Sequence, residues 1–129
     1  MKSKYTLTII LLALVCAFAH GQAANQVFPN DTTKGAQNKY FTGAKEAGVY
    51  QGIAGFTFTT THDNAKFYLQ GCYTTNAWYT LDSVSVTGAA TVNQVIYQTP
   101  PKYKYYRLWA KGNAGDTCRI SNVRYFLKY

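Results

Sequence analysis

An all-β fold, an antiparallel β-sandwich or jelly roll of about seven to eight strands, is what this sequence predicts. Three observations carry that expectation. The chain has 12 Tyr and 10 Gly against 1 Met, and 16% of its residues are aromatic. Such a composition favours strands and tight turns over helical bundles. Short runs of alternating apolar and polar residues recur, separated by turn signals at roughly 8–14-residue spacing. Finally, 47% of residues are hydrophobic and only 14% charged, which excludes an intrinsically disordered chain.

In chain order, the first segment is not part of that fold. Lys2 and Lys4 precede an almost wholly apolar run from Leu7 to Ala19, and small residues follow at signal-peptidase spacing. This is the pattern of a cleaved secretory signal, assigned to residues 1–22. The run is shorter than the roughly 20 apolar residues that span a bilayer. The mature chain is therefore expected to have no transmembrane segment. It is expected to be secreted, extracellular or periplasmic, with a virion surface as the alternative. Residues 23–38 are polar and carry the turn signal Pro29-Asn30-Asp31, so they read as an N-terminal arm or linker.

Residues 39–129 read as the sandwich domain. Lys39 to Thr42 offers a short strand, and residues 43–48 at most one helical turn between glycines. Val49 to Thr61 alternates Phe56, Thr57, Phe58 and Thr59, with Gly52 and Gly55 marking a bend or bulge. Lys66 to Thr74 places Phe67, Leu69, Gly71 and Tyr73 on one face and Tyr68, Gln70 and Cys72 on the other. Trp78 to Val86 is a strand with a break expected at Asp82, and Trp78 itself reads as a core residue. Thr91 to Gln98 follows and ends at Pro100-Pro101, since neither proline can donate to a ladder. Tyr103 to Lys111 is the clearest strand. Thr117 to Tyr129 closes the fold; neither of its faces is cleanly apolar, so a bulge near Asn122 is expected, burying Ile120, Val123, Tyr125 and Leu127.

Charge and cysteines narrow the partners. Thirteen basic residues against five acidic give a net charge of +8, and removing the signal's two lysines leaves the chain strongly basic. That balance suits either solubility or an anionic partner such as a polysaccharide; export argues against nucleic acid. Cys72 and Cys118 remain after cleavage, and an even pair in an exported chain reads as one disulfide, worth up to about 4 kcal/mol. No metal site or cofactor is expected. Two cysteines and His62 lack ligand spacing, and the loops Asp63-Asn64 and Asn113 to Asp116 are poor in carboxylates for calcium.

The candidate binding residues come from one strand. Tyr106, Leu108 and Ala110 form a face suited to a core, whereas Tyr103, Tyr105, Arg107, Trp109 and Lys111 interleave amphipathic rings with cations. Such a face can pack inward, contact a neighbouring subunit through Tyr, Trp and Arg anchors, or stack on sugars while its cations bind carboxylates. Catalytic chemistry is poorly provided for. Most of the carboxylates fall in turn contexts, where Asp serves backbone capping, and the adjacent His62 and Asp63 are the only sign of an acid–base pair.

From Phe67 to Tyr129 the chain resembles a small β-sandwich module of tailed-phage virion structural proteins. The resemblance rests on Leu69-Gln70-Gly71, Trp78-Tyr79-Thr80-Leu81, Lys104-Tyr105-Tyr106-Arg107 and Gly115-Asp116-Thr117. The Tyr-Arg strand also looks like the galactose-binding-like sandwiches of carbohydrate-binding modules. Together these imply a non-catalytic surface structural or adhesive subunit, virion-associated in one version. Its partner would be itself or a neighbouring subunit. A secreted, lectin-like module for a cell-surface glycan is the alternative.

Overall fold

The structure, a computed structural model, describes residues 24–44, 46, 47, 52–62, 64–74, 76–88 and 90–128, without the side chains of Ala24 and His62. The secretory signal lies outside the described residues. So do Asp63 and the His62 imidazole, the one sequence-adjacent acid–base pair. No described helix is long and apolar enough to cross a membrane.

Among the described residues, nine strands make two antiparallel sheets. They are β1 (Ala24–Val27), β2 (Asp31–Lys34), β3 (Asn38–Thr42), β4 (Ile53–His62), β5 (Ala65–Cys72), β6 (Tyr79–Val86), β7 (Val92–Gln98), β8 (Tyr105–Gly112) and β9 (Thr117–Lys128). One sheet has the order β1-β9-β4-β7, with β2 also on β9; the other runs β3-β8-β5-β6. The layers meet through alternate side chains of each strand. Phe56, Phe58, Phe67, Leu69, Tyr106, Leu108, Ile120, Val123, Tyr125 and Leu127 are all buried. Phe58 of one sheet meets Phe67 of the other with ring centroids 4.5 Å apart.

The fold class, the strands from β4 onward and the core face of β8 match the expectation. So does the last strand. Thr57 pairs with Arg124 but Thr59 with Ser121, so β9 has an extra residue there, and Asn122 takes a positive φ of 52°. That bulge shifts the alternation by one, which lets Cys118 and Ile120 share the inner face with Val123, Tyr125 and Leu127. A second bulge lies one residue before the break expected at Asp82. Leu69 pairs with Asp82 and Gln70 with Thr80, which leaves Leu81 as the extra residue packed against the core.

The segment read as an irregular arm is instead structured. β1 and β2 occupy successive stretches of the same edge of β9. Their interruption at Phe28-Pro29-Asn30 lies opposite the Asn122 bulge, where the Phe28 N–H donates to the Val123 carbonyl (2.9 Å) and the Asn122 N–H to Asn30 Oδ1 (3.3 Å). Phe28 packs edge-on against Phe41 at 5.7 Å. Its polar composition hid a pair of edge strands, which need one apolar anchor and backbone partners more than an apolar face.

The expected disulfide is not formed. Cys118 pairs with His62 at the end of β4, beside the start of β5, whereas Cys72 ends β5 in the opposite sheet. An eight-residue strand rises about 3.3 Å per residue, so the two cysteines stand more than roughly 20 Å apart, beyond the 7 Å or so that a disulfide spans. Both thiols are buried.

One buried hydroxyl tests that core. Thr60 Oγ1 is the one buried side-chain polar atom among the described residues without a hydrogen bond. Thr60→Val keeps the shape and removes an unsatisfied group, so it is expected to stabilise the protein by about 1 kcal/mol, read as a higher urea midpoint at unchanged slope.

Candidate functional site

β8 runs in the middle of its sheet with β3 on one side and β5 on the other, so its outward residues form rows across three strands. Lys111 stands between Asn38 and Lys66, Trp109 between Tyr40 and Tyr68, and Arg107 between Thr42 and Gln70. The odd-numbered face of β8 is thus the solvent side of the sheet, and the inward-packing alternative for Trp109 does not hold.

The rings of the middle row stack on one another. Tyr68 and Trp109 lie 4.6 Å apart at 24°, and Tyr40 and Trp109 6.2 Å apart at 18°. Flanked on both sides, Trp109 presents an edge to solvent. The Trp109 indole N–H donates to Asn38 Oδ1 at 3.0 Å, which sets the ring's orientation. Lys66 Nζ lies 5.2 Å from the Tyr68 centroid and Lys111 Nζ 6.0 Å from that of Trp109. These are cation–π contacts, each worth about 0.5–1 kcal/mol at an exposed site.

Arg107 is held more tightly. Its guanidinium lies 4.5 Å from the Tyr40 ring and 4.3 Å from the Trp78 ring. Its Nε–H donates to Gln70 Oε1 at 2.8 Å, and Gln70 Nε2 donates in turn to Thr80 Oγ1 at 3.1 Å. Burial lowers the Arg107 pKa, and the neighbouring Tyr40 and Cys72 oppose that shift. Trp78, expected in the core, belongs here. It precedes β6 and contributes its ring to Arg107 rather than to the space between the sheets.

Tyr103 is not part of this face. It precedes β8 and lies over Gly71, where a Cβ would approach its ring to 2.7 Å, so glycine is required at that position. There it joins Tyr73 (5.0 Å), Tyr79 (6.0 Å) and Tyr106 (6.4 Å) in a separate cluster. Tyr105 opens β8 opposite Cys72 and is half-buried. The five residues proposed from one strand therefore divide. Arg107, Trp109 and Lys111 come together with Tyr40, Tyr68, Lys66, Trp78 and Gln70, which the single-strand reading missed. Tyr68 and Gln70 were already legible as one strand face; cross-strand register was needed to set them beside Trp109 and Arg107.

The described carboxylates are engaged elsewhere. Asp31 pairs with Lys39 and Glu46 with Lys104, each at 3.2 Å. Asp82 Oδ1 accepts the Ser83 N–H (2.7 Å), and Asp116 accepts from Asn113 (2.7 Å) and Asn64 (3.2 Å). Among the described residues no three His, Cys, Asp or Glu side chains converge on a metal-sized site.

Two buried acids, Cys72 beside the face and Tyr106 beneath it, give the fold a pH signature. Burial raises the Cys72 thiol above its ordinary 9.0, against the pull of Arg107. Burial also raises the Tyr106 hydroxyl above 10.0, although that oxygen accepts the Lys102 and Tyr103 N–H groups. The folded protein holds both protons where the unfolded chain releases them. These two groups are therefore expected to add no pH dependence below about pH 9 and to lower stability above it, more steeply past about pH 10. Urea midpoints measured from pH 8 upward check this, and Cys72→Ala should remove the earlier part of the decline.

Fold and face together define a β-sandwich with an aromatic, cationic outer surface. The chain matches no known protein-family model, and no curated protein matches it significantly.

Proposed function

We propose that this protein is a non-catalytic surface subunit, structural or adhesive, that works by contact through the outward face of β3, β8 and β5. The observation that carries this reading is the ring row Tyr68–Trp109–Tyr40 with Arg107 clasped between Tyr40 and Trp78. Tyr, Trp and Arg are the residues that anchor interfaces. Here they are held by one another before any partner arrives, so little side-chain freedom is lost on binding. The engagement of every described carboxylate in local partners supports a role without acid–base chemistry. The setting proposed is external, on a cell or a virus particle, where the contact is made with a neighbouring subunit or a surface polymer.

A secreted glycan-binding module is the second reading, favoured by the cations that flank the rings. Both readings have a direct test. The chain contains two tryptophans, and both lie in this face, so intrinsic fluorescence reports on it specifically. Light scattering across protein concentration, together with fluorescence titration by polymers, should detect a contact that Tyr40→Ser weakens. Tyr40 is half-exposed on an edge strand, so its loss leaves the core intact. A protein that stays monomeric, with fluorescence indifferent to concentration and to every polymer, overturns the proposal.

A further inference from the structure

Resting on that reading, we infer that the partner of the face is a polyanionic polysaccharide, a glycan chain bearing carboxylate or sulfate groups. The inference starts from a pairing that works against the fold. Lys66 and Lys111 stand directly opposite each other on neighbouring strands. Like charges at directly paired positions destabilise a sheet. No carboxylate offsets them, since among the described residues neither lysine has an ion-pair partner.

The rest of the face has the same sign. The outward positions of β3, β8 and β5 hold Lys66, Lys111 and Arg107 and no Asp or Glu. The one carboxylate on the neighbouring β6, Asp82, sits opposite inward-facing Leu69 and lines the seam with Val95 and Tyr97 of β7. Arg107 has its guanidinium packed on the Tyr40 and Trp78 rings and its Nε–H committed to Gln70, while its terminal nitrogens have no protein acceptor among the described residues. A guanidinium fixed in this way is a fork ready for a two-oxygen anion.

Two anion-binding points follow, Arg107 and the lysine pair, roughly 13 Å apart along β8. One small anion cannot reach both; a chain with repeated charges can. Between them lie the ring edges, whose partial positive charge suits an oxygen-rich ligand. Beside the lysines a shallow groove of about 290 Å³ is lined by Asn64, Lys66, Tyr68, Ser85, Lys111 and Asn113. Its amide and hydroxyl groups offer the donors and acceptors that sugar hydroxyls need. Single-stranded nucleic acid fits less well, because base stacking requires an open ring face and Trp109 has a ring on each side.

The test titrates the full protein with polygalacturonate, dextran sulfate, neutral dextran and a single-stranded oligonucleotide, following tryptophan fluorescence and calorimetry. Binding to polygalacturonate, dextran sulfate or both is expected, weakening as salt rises, with neutral dextran inert. The two charged polymers distinguish carboxylate from sulfate as the recognised group. Arg107→Gln should weaken binding about tenfold. Because Arg107 also packs against Trp78, the decisive variant is the surface pair Lys66→Gln/Lys111→Gln. It should weaken polyanion binding and flatten its salt dependence, a change that a purely structural role for the lysines would not produce. Equal binding of neutral dextran, tighter binding of the oligonucleotide, or a lysine variant that binds normally overturns the inference. Silence towards all four polymers in a protein whose fluorescence still changes on self-association rejects the polysaccharide while leaving the contact reading standing.

Discussion

Asn122→Pro is expected to destabilise the protein by about 3 kcal/mol or more, whereas Asn122→Gly is expected to change stability by less than about 1 kcal/mol. Asn122 has a φ of 52° at the β9 bulge, a left-handed conformation that glycine adopts without strain and asparagine tolerates. Its side chain is exposed, and the bond to Asn30 is made by the backbone N–H, so glycine retains it. Proline acts on the backbone instead. Its ring fixes φ near about −65° and leaves no N–H for Asn30, so the bulge cannot form as observed. That bulge is what lets Ile120 and Val123 point to the same side. Beyond it Val123, Tyr125 and Leu127 are fully buried, and each contributes about 1.5–3 kcal/mol when it stays so. Circular dichroism and urea titration of the two variants distinguish a specific bulge from a tolerant loop.

Phe67→Ala is expected to destabilise the protein by about 3–5 kcal/mol, and Trp109→Ala by only about 1–2 kcal/mol. Both lie in neighbouring central strands of one sheet, but on opposite faces. Phe67 is fully buried and packs on Phe58 across the sandwich, so its removal leaves a cavity that close packing cannot refill. Trp109 loses its stacking on Tyr68 and Tyr40 and an exposed hydrogen bond to Asn38, with water free to fill the space. Urea unfolding of the pair measures this difference. A Trp109→Ala loss as large as that of Phe67→Ala would place the indole inside the core and remove the contact face from consideration.

The two sides of β8 show what was legible in the sequence. Its alternation alone separates Tyr106, Leu108 and Ala110 from Arg107, Trp109 and Lys111, because a strand has a period of two and the apolar set must be covered. The conflict between the two halves of β9 likewise called for one extra residue, and Asn122 is the residue there that tolerates a positive φ. Such patterns lie within one strand, so no neighbour is needed to read them.

What lay across strands was not legible. Trp78 looks like a core residue until the approach to β6 carries it over Arg107. Tyr40 and Tyr68 become one row with Trp109 only when β3 and β5 take their register on either side of β8. Cys72 and Cys118 look like a bridge by count alone, and strand length and sheet assignment keep them apart. By itself the sequence determined the strand class, the core faces and the bulge, all set by local periodicity and backbone preference. The tertiary structure alone decided which rings and cations share a surface, because that depends on non-local hydrogen-bond register, which no single strand encodes.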